Sequence, residues 1–171
     1  KRFDRLIRAV AQARTSVPDL TLTLVGTGAE REALDALVRE LDAHEFVTFA
    51  GRVDDDELVD LYRSAWVVAS TSVREGWGMT LTEAAACGTP VVATRIAGHV
   101  DAVADGVSGL LADDDAEVAR LLARVCTDAD LRARLEAGAL DHAARFSWAN
   151  TAARIMAVLV DEATGRRAVP G

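Results

Sequence analysis

Cysteine is scarce in this sequence: its 171 residues include two, Cys87 and Cys126. Two cysteines make no disulfide framework, and neither stands in a Cys-x-x-Cys spacing suited to a metal. Both read as reduced, buried, small apolar side chains of a cytoplasmic protein. Long apolar runs are also missing. No stretch of eighteen or more apolar residues occurs, and the opening KRFDRLIRAV is amphipathic rather than signal-like. Basic residues are outnumbered, 19 against 27 acidic, for a formal net charge of -8. That balance argues against a nucleic-acid scaffold, which would carry a basic stripe. An anionic ligand would have to be met by a few local groups. There is no internal repeat and no low-complexity linker.

Half of the residues are hydrophobic, enough at this length for one good core and one domain. Phe3, Leu6, Ile7, Val10 and Ala13 recur at helical spacing, and Pro18 opens a turn before a branched apolar run at 20–25. The alternation predicts further helices over 30–41, 57–64, 80–87 and near Val100, with strands over 46–50, 66–70, 90–93 and 108–111. Three helices are expected at the end, over 116–126, 131–145 and 148–163, before a frayed tail at 164–171. Strands apolar on both faces and separated by amphipathic helices predict a parallel sheet covered on both sides. The fold class is therefore α/β, a Rossmann-like doubly wound sheet with extra C-terminal helices.

In such sheets ligands sit at the carboxyl ends of the strands. The loops there are rich in glycine: Gly26 and Gly28 after the first strand, Gly51-Arg52-Val53 after the second, and a long loop from Ser70 to Met79 after the third. A Gly-x-Gly pair alone is explained by turn geometry more often than by a ligand. The stretch EGWGMTLTEAAACGTPVVATRIAGHVDAVADGVSGLL, residues 75–111, is more specific. Glu75 lies in a glycine-bracketed loop, and Glu83 follows after seven intervening residues, one turn into the next helix. Gly78, Met79 and Thr80 would present backbone amides at that helix start to an anion held between the two acids. Such a pair suits a nucleotide sugar, one carboxylate accepting from sugar hydroxyls and the other from the ribose.

Taken in order, Glu75, Glu83, the CGTPVVAT segment at 87–94, Ala97-Gly98, Asp101 and the DGVSGLL turn at 105–111 resemble the retaining glycosyltransferases of family 4, which have the GT-B fold. The likeness continues upstream through VGTGAERE and FAGRVDDDELVDLY and downstream to FSW at 146–148. The resemblance implies that residues 1–163 are a donor-binding domain that lacks its first strand and its N-terminal acceptor-binding partner domain. It implies a nucleoside diphosphate sugar donor, UDP- or GDP-linked, no metal cofactor, and membrane association only through the missing half. It places Glu75 beside the donor sugar as the catalytic residue. Gly76 and Trp77 complete the glycine-bracketed loop, Gly78, Met79 and Thr80 face diphosphate and sugar, and Glu83 takes the ribose. Arg52 and Val53 read the base, and Lys1 grips the diphosphate, with an arginine normally found five residues earlier. Trp77 stands where phenylalanine is commoner, Ala97 replaces the first glycine of a pair, and Asp101 replaces a glutamate.

Other residues read more plainly. His99, without a spaced partner, reads as a surface histidine, and Trp66 and Trp148 as core anchors. Arg74 and Arg95 flank the cleft, where they could balance donor charge. The acidic runs 54–57 and 113–115 read as helix N-terminal caps. The rival readings are a non-catalytic nucleotide-sugar sensor or partner-binding module, and a flavodoxin-like signalling domain.

Overall fold

The computed structural model describes residues 1–167. The chain alternates α1 (Phe3–Ala13), β1 (Leu22–Val25), α2 (Arg31–Glu40), β2 (Val47–Gly51), α3 (Asp55–Ser64), β3 (Val68–Ser70), α4 (Met79–Ala86), β4 (Val91–Thr94), α5 (Ala97–Ala102) and β5 (Gly109–Ala112). It closes with α6 (Asp115–Thr127), α7 (Ala129–Ala143) and α8 (Trp148–Arg167). Each expected element is present. The last helix runs on to Arg167 through residues expected in the tail, and residues 168–171 lie outside those described. Local chemistry starts α3 and α6 where the acidic runs stand: the Asp54 carboxylate accepts from the Glu57 amide at 2.9 Å, and Asp114 from the Glu117 amide at 2.7 Å.

All strand pairs are parallel, and they fall into two groups, β1-β2 and β3-β4-β5. β1 and β3 are not hydrogen-bonded to each other. Burial follows that division. β4 and β5 are buried throughout, whereas β3 is only half-buried and β1 buries Leu24 alone. A strand with one unpaired side keeps that side partly wet.

Side chains alternate between two cores, as the pleat requires. Val92, Leu110 and Ala112 face a cluster built from α1, α2, α6 and α7, while Val91, Ala93 and Leu111 face one built from α3, α4 and α5. The sheet is thus covered on both sides, the doubly wound arrangement. Leu6, Ile7 and Val10 of α1 pack in one cluster with Leu24 and Val47 of the first strand pair and with Val92 and Leu110 of the second group. α1 therefore holds the two groups together across the break.

Two expected core anchors are not in the core. Trp66 is 57% exposed and Trp148 90%. Trp66 falls just before β3, where it stacks under the Arg132 guanidinium 4.2 Å from the ring centroid, and Trp148 opens α8. Hydrophobicity placed them inside, but neither falls on a strand or on a packed helix face. Ile155, Met156, Val158, Leu159 and Val160 of α8 are likewise more than half exposed. Cys126 is buried and Cys87 half-buried, both as free thiols. Among the described residues no helix is long and apolar enough to cross a membrane.

Candidate functional site

The site is built around the loop that leaves β3. Thr71 and Ser72 are each 1% exposed, so their hydroxyls need partners inside the protein. The Thr94 hydroxyl at the end of β4 donates to the Ser72 carbonyl at 2.6 Å. The Thr71 hydroxyl donates to the Arg2 carbonyl at 2.8 Å, which pins the first residues of the chain to the carboxyl end of β3. Lys1, the one lysine in the sequence, is thereby brought to Glu75, with Nζ 2.5 Å from Oε1.

Ser72 Oγ also donates to Glu75 Oε1, at 2.7 Å. Oε1 therefore takes both donors, and Oε2 has no partner among the described residues. Burial pushes the Glu75 carboxyl up, but the hydrogen bonds from Lys1 and Ser72, together with the lysine charge, outweigh it and hold the group below the usual glutamate range. At neutral pH Glu75 is an ionised acceptor, not a proton donor.

The turn of α5 braces this loop from behind. A Cβ built on Gly98 would lie 2.5 Å from the Glu75 carbonyl oxygen and 2.8 Å from its carbon, so no larger residue fits without moving backbone. The Gly98 carbonyl accepts from the Gly78 amide at 3.1 Å. Ala97 is exposed, so its methyl group points away from this contact. At the start of α4 the amides are not all turned outward as expected: Gly78 donates to Gly98 and Met79 donates to the Trp77 carbonyl at 3.1 Å. Of the three, the Thr80 amide alone has no backbone acceptor among the described residues. Gly76 is exposed, and the Trp77 ring packs edge-on against Phe146 at 5.2 Å, tying the loop to the segment after α7.

Glu83 on α4 is half-buried and held the same way as Glu75. Tyr62 Oη donates to Oε2 at 3.0 Å, leaving Oε1 without a partner among the described residues. Burial, and then the Glu83 charge and hydrogen bond, push the Tyr62 phenol above its ordinary range, so it remains a donor. Each glutamate thus has one oxygen fixed by the protein and one left over.

The remaining expected residues sit apart from this cluster. Gly26 has φ +112° and donates to the Gly51 carbonyl at 2.6 Å; Gly51 has φ +73°. Turn geometry accounts for both. A side chain on Gly28 would meet only open space. Arg52 is exposed and Val53 half-buried after β2. They share the carboxyl edge of the sheet with Glu75, but no hydrogen bond or ion pair among the described residues joins them to it. Arg95 is not free to meet an anion, since Asp105 and Asp113 hold it at 2.7 and 2.8 Å. Arg74 is exposed. Among the described residues no three His, Cys, Asp or Glu side chains converge as a metal site.

The model of the family "Glycosyl transferases group 1" matches residues 1–142. The chain belongs to this family. It is 45% identical to the D-inositol 3-phosphate glycosyltransferase of Stackebrandtia nassauensis, over 97% of this chain and 40% of that protein. It is 41% identical to the Acidothermus cellulolyticus protein of the same name, over 96% and 39%. The chain spans about 40% of the length of these curated relatives. Among solved structures it resembles HepE of Anabaena in complex with UDP, with TM-score 0.82 and 29% identity over 94% of this chain and 45% of that one. It also resembles sucrose-phosphate synthase of Thermosynechococcus elongatus, with TM-score 0.78 and 29% identity over 93% and 42%. The fold of this glycosyl transferases group 1 chain is one Rossmann-like half of the GT-B architecture.

Two residues of this family member escaped the sequence reading. Tyr62 lay inside the FAGRVDDDELVDLY segment with no role of its own, although it is the single tyrosine in the sequence. His99, expected at the surface, is 1% exposed. A short helix after β4 turns its ring inward under the β3 loop, and helical periodicity is too brief over six residues to show that face.

Proposed function

We propose that this chain is the donor-binding domain of a retaining family 4 glycosyltransferase that uses a nucleoside diphosphate sugar, UDP- or GDP-linked. The acceptor hydroxyl would be delivered by another domain of the longer protein. The observation that carries this reading is the pair of glutamates at the carboxyl edge of the sheet, each with one oxygen held and one unpartnered among the described residues. A sugar and a ribose both offer hydroxyl donors, and an ionised carboxylate with a spare oxygen is their natural acceptor. The UDP and UDP-glucose complexes of a structural neighbour support a nucleotide-sugar ligand.

In the proposed transfer the bond between the anomeric carbon and the diphosphate oxygen breaks, and a bond to the acceptor oxygen forms on the same face. The acceptor proton passes to the leaving diphosphate. Positive charge grows at the anomeric carbon on the way, and the Glu75 carboxylate stabilises it. The Lys1 ammonium beside Glu75 and the Thr80 amide at the α4 start supply the positive potential that the diphosphate needs. Other domains must close over this face to exclude water and align the acceptor. Calorimetric titration with UDP, GDP and ADP tests the reading. Binding of a uridine or guanosine diphosphate that is lost in Glu83→Ala supports it; absence of binding by all three refutes it.

A further inference from the structure

Of the three histidines in the sequence, His99 alone is fully buried, and nothing in the proposed transfer uses it. Its Nδ1 lies 2.8 Å from the Thr94 carbonyl oxygen, and a carbonyl can only accept, so Nδ1 carries a hydrogen. Its Nε2 lies 3.2 Å from Ser70 Oγ, and Ser70 Oγ lies 3.4 Å from Ser72 Oγ. Ser72 in turn donates to Glu75 Oε1 at 2.7 Å. The ring is thus one end of a row of two hydroxyls, Ser70 half-buried and Ser72 buried, whose other end is the Glu75 carboxylate.

We propose that His99 is a positioning residue for Glu75, acting through Ser70 and Ser72, and that a proton taken up by its ring is felt at the Glu75 carboxylate. Hydrogen counting supports this. In the neutral ring, Nε2 at 3.2 Å and Ser72 Oγ at 3.4 Å compete for the one Ser70 hydrogen and the shorter contact favours Nε2, while Ser72 gives its own hydrogen to Glu75. Once Nε2 is protonated it becomes a donor, and the Ser70 hydrogen turns to Ser72. Every link from the imidazolium to Glu75 then points the same way, and such chains reinforce one another. Glu75 would be held more tightly and would be a weaker acceptor for a ligand hydroxyl.

The charged groups around the ring are few. Glu75 attracts its proton and Lys1 repels it, while burial keeps the ring below the ordinary histidine range and neutral at neutral pH. Glu83, on the packed helix α4, is engaged by Tyr62, and Asp101 of α5 itself is exposed. His142 of α7 faces the Ala102 carbonyl at the far end of α5, at 3.2 Å.

The catalytic consequence rests on the donor reading above, but the coupling is a property of the fold and can be measured without any ligand. The test is an NMR titration of the His99 ring in the full-length protein as wild type, Glu75→Gln, Ser72→Ala and the double variant. Glu75→Gln is expected to lower the His99 midpoint by about half a pH unit, and by less than half as much when Ser72 is alanine. Equal shifts in the two backgrounds, or no shift in either, overturn the proposal. The neutral ring is expected as the Nδ1-protonated tautomer, and an Nε2-protonated ring also overturns it. With UDP-glucose as donor, His99→Leu should lower kcat several-fold at unchanged KM, and His99→Gln, which keeps an acceptor toward Ser70, should restore it. Equal kcat in the two variants counts against the relay. A failure of UDP, GDP and ADP alike to bind would remove the donor reading and leave the titration result standing.

Discussion

Gly98→Ala probes how tightly the α5 turn sets the Glu75 loop. The added methyl carbon would lie 2.5, 2.8 and 3.0 Å from the Glu75 carbonyl oxygen, carbonyl carbon and Cβ. Ordinary contact needs about 3.4 Å or more, and two of the three opposing atoms are backbone, so the loop or the turn must shift by about 1 Å. Overpacking of this kind costs about 1 to 3 kcal/mol. For a chain of this size that corresponds to a fall in melting temperature of about 2 to 12 °C. The same shift strains the Gly78 to Gly98 hydrogen bond and displaces Glu75, and a 1 Å misplacement of a catalytic group costs about 10²-fold in rate. Gly28→Ala, where a Cβ meets nothing within 4 Å, is the matched control. Differential scanning calorimetry and steady-state turnover of the full-length protein should show Gly98→Ala losing both stability and kcat, with Gly28→Ala close to wild type in stability. If Gly98→Ala melts and turns over like the control, the claim that α5 braces the loop is wrong.

Four further outcomes are expected. Glu83→Ala should weaken nucleoside diphosphate binding by about 1.5 to 3 kcal/mol, roughly 10- to 150-fold, by calorimetry, and unchanged affinity would sink the ribose role. Glu75→Gln should lower kcat by about 10²-fold with little change in donor affinity, whereas equal losses would make Glu75 a simple sugar ligand. Stability should fall as pH drops below 6.5, because the unfolded chain protonates His99 while burial holds the folded ring neutral. Below about 4.5 a second loss should follow as Glu75, ionised at lower pH when folded than when unfolded, gives up its bonds to Lys1 and Ser72. Urea melts across pH should show both losses, and a His99→Gln variant that keeps the first would refute its assignment. Finally, the amides on the unpaired sides of β1 and β3 should exchange faster than those of β4, which is paired on both sides. Equally slow exchange of all three strands would show that the gap between β1 and β3 is closed.

Much of the site could be read from residue order because a ligand edge has strong local signals. The two glutamates, the glycines around them and the helix start all lie within a dozen residues, and backbone geometry keeps neighbours in sequence close in space. Tyr62 and His99 gave no such signal. Tyr62 reaches Glu83 from 21 residues away and His99 reaches Ser70 from 29, and both contacts exist only because helices α3 and α5 each pack against α4. The two tryptophans erred in the opposite direction, since hydrophobicity states a preference for burial but not whether a neighbour is there to provide it.

What the sequence determined by itself was the rhythm of helix and strand and the parallel sheet covered on two faces, because periodicity and capping act over a few residues. The acidic runs at 54–57 and 113–115 likewise fixed where α3 and α6 begin, through a bond to an amide three residues on. Tertiary structure alone decided which oxygen of each glutamate is held, where the one lysine rests and why Gly98 has no room for a side chain. It also decided that His99 is inside. These are contacts between residues far apart in the chain, and their geometry depends on how α1, α4 and α5 pack against one sheet edge.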